Sequence, residues 1–250
     1  MKKAAARQEL PGGSVFSGSV FMRPLFQLGP RLALCAALVR EGSLLCDVGT
    51  DHAYLPIWLL KMGKIPGALA CDINPGPLEA ARRDGAKYEV GEELSFRLSD
   101  GLQGVSSQEA EDIVIAGMGG ELILRIIAET PWLQDETKRL VLQPMSSVPE
   151  LRLGLKELGF SVLREEAAEE GGKVYSAFAV QYTGAPVETQ WLYPYLGKLQ
   201  PGAPHVDVYA EKVLRELTSQ RKGALHTGEE ERAARLEELI RAVEEQYTKR

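Results

Sequence analysis

From residue 44 onward, short apolar runs alternate with segments whose apolar positions recur every three or four residues. The runs fall at 44–48, 68–71, 94–99, 113–116 and 140–143, and the helical patterns at 54–62, 77–88, 121–129 and 148–158. A short apolar run bounded by turn residues reads as a buried strand, and a 3.6-residue period reads as an amphipathic helix. Their alternation predicts an α/β fold with a mainly parallel sheet. Two further runs, 161–165 and 175–182, flank a glutamate-rich stretch that ends in Gly171-Gly172, which predicts a hairpin at a sheet edge and brings the strands to seven. Ahead of the first strand, 25–39 is apolar on most turns and stops at Glu41-Gly42, predicting a helix beside that strand.

After Tyr182 the pattern changes to TGAPVETQWLYPYLGKLQPGAP, which reads as a surface connector. Val206, Tyr209, Val213 and Leu217 then recur at helical spacing, as do Leu236, Leu239, Ile240, Val243 and Tyr247 beyond a break at 226–228. An antiparallel helical hairpin is expected there. The expected organisation is a flexible tail at 1–23, an α/β domain at 24–184, and a connector with a helical hairpin at 185–250.

The chain has 250 residues, 44% hydrophobic and 26% charged, which is enough for one full α/β domain and an appendage. It holds no run of about 18 uncharged apolar residues, so no membrane span is expected. Cys35, Cys46 and Cys71 form no C-x-x-C pair and sit among apolar neighbours, which suits reduced thiols and a cytoplasmic location. His52, His205 and His226 lie at no metal-binding spacing, so no metal is expected. A formal charge of -6 argues against nonspecific wrapping of nucleic acid but leaves room for a local basic patch. Lys2, Lys3, Arg7 and Arg23 of the tail could touch phosphate.

Ligands of open α/β sheets bind outside the carboxyl ends of the strands, and four loops there carry chemistry. The first holds Asp47, Gly49, Asp51 and His52. Gly49 permits a sharp turn and close backbone approach. Asp51 and His52 stand where a G-x-G-x-x-G dinucleotide loop would have further glycines, and a carboxylate would repel a pyrophosphate. It suits a cofactor with positive charge, such as S-adenosylmethionine with its sulfonium and ammonium groups. The second loop ends an apolar strand in Asp72, followed by Ile73. A carboxylate there can accept hydrogen bonds from both hydroxyls of a ribose, or can cap the next helix. In the third, Asp100 can accept from an adenine amino group, and Gly101 leaves room for the ring. The fourth places Gly117, Met118, Gly119 and Gly120 between a strand and a helix, opening the backbone to a ligand. It lacks the Lys-Ser or Lys-Thr of a phosphate loop, which argues against nucleotide hydrolysis.

DVGTDHAYLPIWL, CDIN, SDGL, IAGMGGELI, LVLQPM and GGKVYSAFAV, in this order and spacing, resemble the bacterial TrmK-type family of tRNA adenine-22 N1-methyltransferases. The resemblance runs from about Arg31 to the C-terminus. GTDHAYLP and IAGMGG are its specific parts, whereas CDIN and SDGL occur in many Rossmann-like methyltransferases. It implies a Rossmann-like class I methyltransferase domain, then a small helical domain that helps hold tRNA. It places S-adenosylmethionine among Asp47, Gly49, Asp51, His52, Asp72, Ile73, Asp100, Gly101 and the loop Gly117, Met118, Gly119, Gly120. Asp51, His52, Gly117 and Met118 would line the methyl-transfer side. The implied partner is tRNA, with no metal or membrane, and a monomer is expected. One departure is Ser176, in Lys173-Val174-Tyr175-Ser176, where the family often has glutamate.

The implied reaction needs no strong base, because N1 of adenine carries an in-plane lone pair and no proton. Alignment of nucleophile and methyl would supply much of the rate, and Asp51 could stabilise the cationic product ring. His52 or Tyr54 could stack on or hydrogen-bond to the base, which must leave its pair to expose N1. The alternatives are a methyltransferase acting on another RNA or a small molecule, a noncatalytic RNA-binding protein that keeps the pocket, and a nicotinamide dehydrogenase.

Overall fold

The computed structural model describes residues 25–184 and 190–248, so the tail expected at 1–23 lies outside the described residues. Five parallel strands follow one another along the chain: β1 (Leu45–Val48), β2 (Ala68–Asp72), β3 (Leu94–Leu98), β4 (Asp112–Gly119) and β5 (Arg139–Ser146). An antiparallel hairpin, β6 (Phe160–Glu170) and β7 (Lys173–Tyr182), completes one seven-stranded sheet in the order β3-β2-β1-β4-β5-β7-β6. The winding reverses between β1 and β4, and the crevice at that switch is where such sheets take ligands.

The central strands read as continuous apolar runs because both faces are covered. Leu45, Ala70, Val114 and Val141 pack under α1 (Pro30–Leu38), α2 (Tyr54–Lys61) and α3 (Pro75–Lys87). Cys46, Ile113, Ile115 and Leu142 pack under α4 (Gly120–Ala128) and α5 (Val148–Glu157) on the opposite face. All three cysteines are buried and unpaired, with the Cys46 and Cys71 sulfurs 3.9 Å apart. No helix among the described residues is long and apolar enough to cross a membrane.

Beyond the sheet come a short helix α6 (Tyr193–Leu196) and the pair α7 (Val206–His226) and α8 (Glu230–Val243). Leu196, Tyr209, Val213, Leu217 and Leu236 share a third core with Ala167 and Val174 of the β6–β7 hairpin. A buried polar cluster joins this region to the sheet. Arg152 of α5 and Glu165 of β6, both with fully buried side chains, pair at 2.5 Å. Arg152 also donates to the Pro194 carbonyl at 2.7 Å and to the Tyr209 hydroxyl at 3.3 Å. Glu165 accepts from the Lys198 amide at 2.9 Å. Burial opposes the guanidinium charge, but the Glu165 carboxylate more than offsets it and the pKa stays raised.

Three elements differ from expectation. The first helix starts at Pro30, not near residue 25, because Gly29 takes an extended N-cap conformation and the residue before a proline avoids the helical region. Strand β6 runs on to Glu170, through the stretch that reads as a loop, since its last glutamates find partners: Glu169 with His205 at 2.9 Å, and Glu170 with Arg31 at 3.2 Å. Strand β4 extends through Gly119 with two register shifts against β5, so most of the fourth loop is irregular strand.

Candidate active site at the carboxyl ends of the strands

The parallel register sets the carboxyl ends of β1, β2 and β4 side by side, with Val48 opposite both Cys71 and Ile115. Asp47, Asp72 and Asp100 sit in or just after β1, β2 and β3 in turn, forming a row of carboxylates along one edge. Asp47 is 8% exposed and has no ion-pair partner among the described residues. Burial pushes its pKa up to about 6; the Thr50 hydroxyl works against the rise and the neighbouring Asp72 carboxylate adds to it. A buried carboxylate with no cationic partner and a second carboxylate nearby favours a cationic ligand.

Asp72 accepts a 2.7 Å hydrogen bond from the Asn74 amide, which bends the chain toward α3. It does not cap the helix, whose N-cap is Asn74 and lacks a side-chain cap bond. Ile73 beside it is exposed. Asp100 is 3.2 Å from Arg125 of α4. Gly101 has φ +56°, and a Cβ there would lie 2.9 Å from Ile126, so its missing side chain lets α4 pack close and the space is filled by Ile126, not left for a ring as the sequence suggests.

In the first loop the amides of Gly49 and Thr50 both donate to the Cys71 carbonyl, at 2.8 and 2.9 Å. This ties the turn to β2. Gly49 has φ +74°, and a Cβ would fall 2.1 Å from Cε of Met118, whose side chain lies over the turn. Met118 thereby joins the first and fourth loops. The Thr50 hydroxyl is buried beside the Asp47 carboxyl, where it favours the ionised form. Asp51 is 85% exposed at its side chain and lies 3.7 Å from Nε2 of His52. His52 Nδ1 is 2.6 Å from Asp84 of α3.

The fourth loop is held from beneath by Gln143 of β5, which is fully buried. Its Oε1 accepts from the Gly117 amide at 3.1 Å and from Arg31 at 2.7 Å, and its Nε2 donates to the Pro144 carbonyl at 2.9 Å. Gly117 has φ +81°, the left-handed conformation that glycine tolerates. Gly119 and Gly120 make room for the chain itself, since a Cβ at Gly120 would meet the Ser147 carbonyl at 2.4 Å. Gln143, Arg31, Glu170 and Asp84 were not among the residues singled out from sequence. Only Gln143 carries a local signal, as an amide inside an apolar strand. Ser176 is buried with an unpartnered hydroxyl. Among the described residues no three metal-ligating side chains cluster.

The carboxylate row and the glycine-permitted turn fit a nucleoside cofactor bearing positive charge. Fold and site define a Rossmann-like methyltransferase, and the chain belongs to the family described as Methyltransferase domain, which matches residues 28–178. Within that class it belongs to the TrmK-type family. It is 34% identical over 155 residues to the tRNA (adenine(22)-N(1))-methyltransferase of Bacillus subtilis (strain 168), an alignment covering 62% of this chain and spanning 65% of that relative's length. It is similar to the solved structure of the B. subtilis m1A22 tRNA methyltransferase TrmK, with 27% identity, a TM-score of 0.74, and coverage of 88% of this chain and 98% of that one. It is also similar to a Streptococcus pneumoniae candidate tRNA (m1A22) methyltransferase solved with S-adenosyl-L-methionine, with 32% identity, a TM-score of 0.71, and coverage of 86% and 97%.

Proposed function

We infer that this protein is an S-adenosylmethionine-dependent methyltransferase that acts on N1 of an adenine in tRNA, in the cytoplasm. The observation that carries the reading is the row Asp47, Asp72 and Asp100 on or just after successive strands, with Asp47 buried and without a cationic partner among the described residues. Similarity to a relative named for this activity, and to a candidate of the same activity solved with this cofactor, supports it. Asp47 faces the ammonium, Asp72 the ribose hydroxyls with Ile73 along the ring, and Asp100 and Gly101 the adenine end. Gly49, Met118 and Gly117 through Gly120 form the wall between the cofactor and the acceptor. When bound, the cofactor supplies an electrophilic methyl group on a sulfonium.

The chain's own residues then position and stabilise. Adenine N1 has no proton to lose, so the site needs no strong base. Asp51, exposed at the rim, sits where it can stabilise the cationic ring of the product. Gln143 fixes the Gly117 amide and with it the wall on which the base rests. We also propose a division at 184/185, with the first part binding cofactor and the helical part contacting RNA.

The test is mass-spectrometric nucleoside analysis of unmodified bacterial tRNA incubated with the protein and S-adenosylmethionine, beside an Asp51→Asn variant. Wild type should produce 1-methyladenosine. The variant should bind cofactor normally and turn over at least tenfold more slowly, the order of one lost electrostatic contact in a transition state. Cofactor binding without any methylated nucleoside would sink the reading.

A further inference from the structure

His52 and Ala53 are consecutive non-glycine residues in the left-handed region, with φ of 60° and 53°. Side chains rarely adopt this conformation, and such strain persists where the surroundings impose it. Its effect here is to present the imidazole. The His52 ring lies parallel to that of Tyr54, at 5° and 5.1 Å between centroids. Phe26 meets Tyr54 edge-on at 5.0 Å and Tyr88 at the same distance, so the lower ring is buttressed. From α3, Asp84 holds Nδ1 at 2.6 Å and fixes the imidazole plane. The His52 side chain nevertheless remains 40% exposed, next to the 85% exposed Asp51.

A flat ring that is backed, oriented and open to solvent is what single-stranded nucleic acid binders use to stack bases. We propose that His52, backed by Tyr54 and positioned by Asp84, is a stacking platform for an unpaired nucleobase of the acceptor RNA, either the reacting adenine or its immediate neighbour. The inference rests on the RNA methyltransferase reading above. The reaction calls for no acid-base role, because N1 of adenine carries no proton. Asp84 is a positioning residue and touches no substrate.

The experiment measures steady-state methylation of transcribed tRNA, with S-adenosylhomocysteine affinity by calorimetry, for wild type, His52→Ala, His52→Phe, Asp84→Asn and the His52→Phe/Asp84→Asn double variant. His52→Ala should raise the KM for tRNA about tenfold, and His52→Phe should stay within about threefold, since a base stacks on either ring. Cofactor affinity should not change. Asp84→Asn should raise KM only while the imidazole is present, so the double variant should match His52→Phe. If His52→Ala does not fold, His52→Leu serves, keeping bulk without an aromatic face. A tRNA made abasic beside the target distinguishes the two bases: loss of the His52→Ala defect on it assigns the neighbour, and persistence assigns the reacting adenine. An unchanged KM in His52→Ala, a His52→Phe as impaired as His52→Ala, or weakened cofactor binding overturns the platform. Wild type that forms no 1-methyladenosine overturns the methyltransferase reading instead, a result none of the platform failures produces.

Discussion

Replacing Asp47 by asparagine should move cofactor affinity and apo-protein stability in opposite directions. The Asp47 carboxyl is pushed from 3.8 up to about 6, chiefly by burial. At 1.36 kcal/mol per pKa unit, that is about 3 kcal/mol against the ionised form. The folded pKa lies above the unfolded one, so the folded apo protein holds the proton more tightly. This contribution is full below about pH 4 and is lost as pH rises through about 6. At pH 7.5 wild type therefore carries a buried charge that asparagine does not. Asp47→Asn should be more stable there by up to about 3 kcal/mol, with the gain shrinking toward pH 4. A cationic cofactor reverses the preference, because it favours the ionised carboxylate. Wild-type affinity should hold between pH 7 and 8 and be about tenfold weaker at pH 5, where roughly one carboxyl in ten is ionised. The variant should bind more weakly at pH 8, with a flatter pH profile. Calorimetric titration with S-adenosylhomocysteine, which carries the ammonium group, and thermal unfolding without ligand read the two quantities separately. Equal wild-type affinity at pH 5 and 8, or a variant that binds as tightly as wild type at pH 8, would refute the assignment of Asp47 to the cofactor's positive end.

Gln143→Leu removes the acceptor shared by Arg31 and the Gly117 amide. Denaturant unfolding should show a loss of about 2–3 kcal/mol, and, on the proposed placement of the Gly117 loop toward the acceptor, turnover should fall more than cofactor affinity. Arg152→Met leaves the Glu165 carboxylate buried without its partner. It should cost about 3–5 kcal/mol, and Arg152→Met/Glu165→Leu should recover most of that, as a double-mutant cycle would show.

The carboxylate row at the strand ends is legible because it is written locally. Asp47 and Asp72 stand out as carboxylates ending otherwise apolar runs, and Gly49 and Gly101 fall at turns whose positive φ the sequence can suggest. The parallel strands are legible for a similar reason, since strands covered on both faces need few polar residues. The start of α1 was also readable in Gly29-Pro30, where chain geometry outweighs the apolar periodicity of 25–29. What the sequence hides are the side chains that hold these parts in place. The extension of β6 depends on Glu169 and Glu170, whose partners lie 36 and 139 positions away. Gln143 is visible as an anomaly, yet its meaning comes from Arg31, 112 positions earlier. These distant contacts converge. Arg31 joins Gln143, and through it the Gly117 loop, to Glu170 at the tip of the β6–β7 hairpin. The adjacent Glu169 binds His205 at the head of α7. The Gly117 loop and the helical region are therefore connected through a few polar side chains, which gives α7 a direct structural route to Gly117.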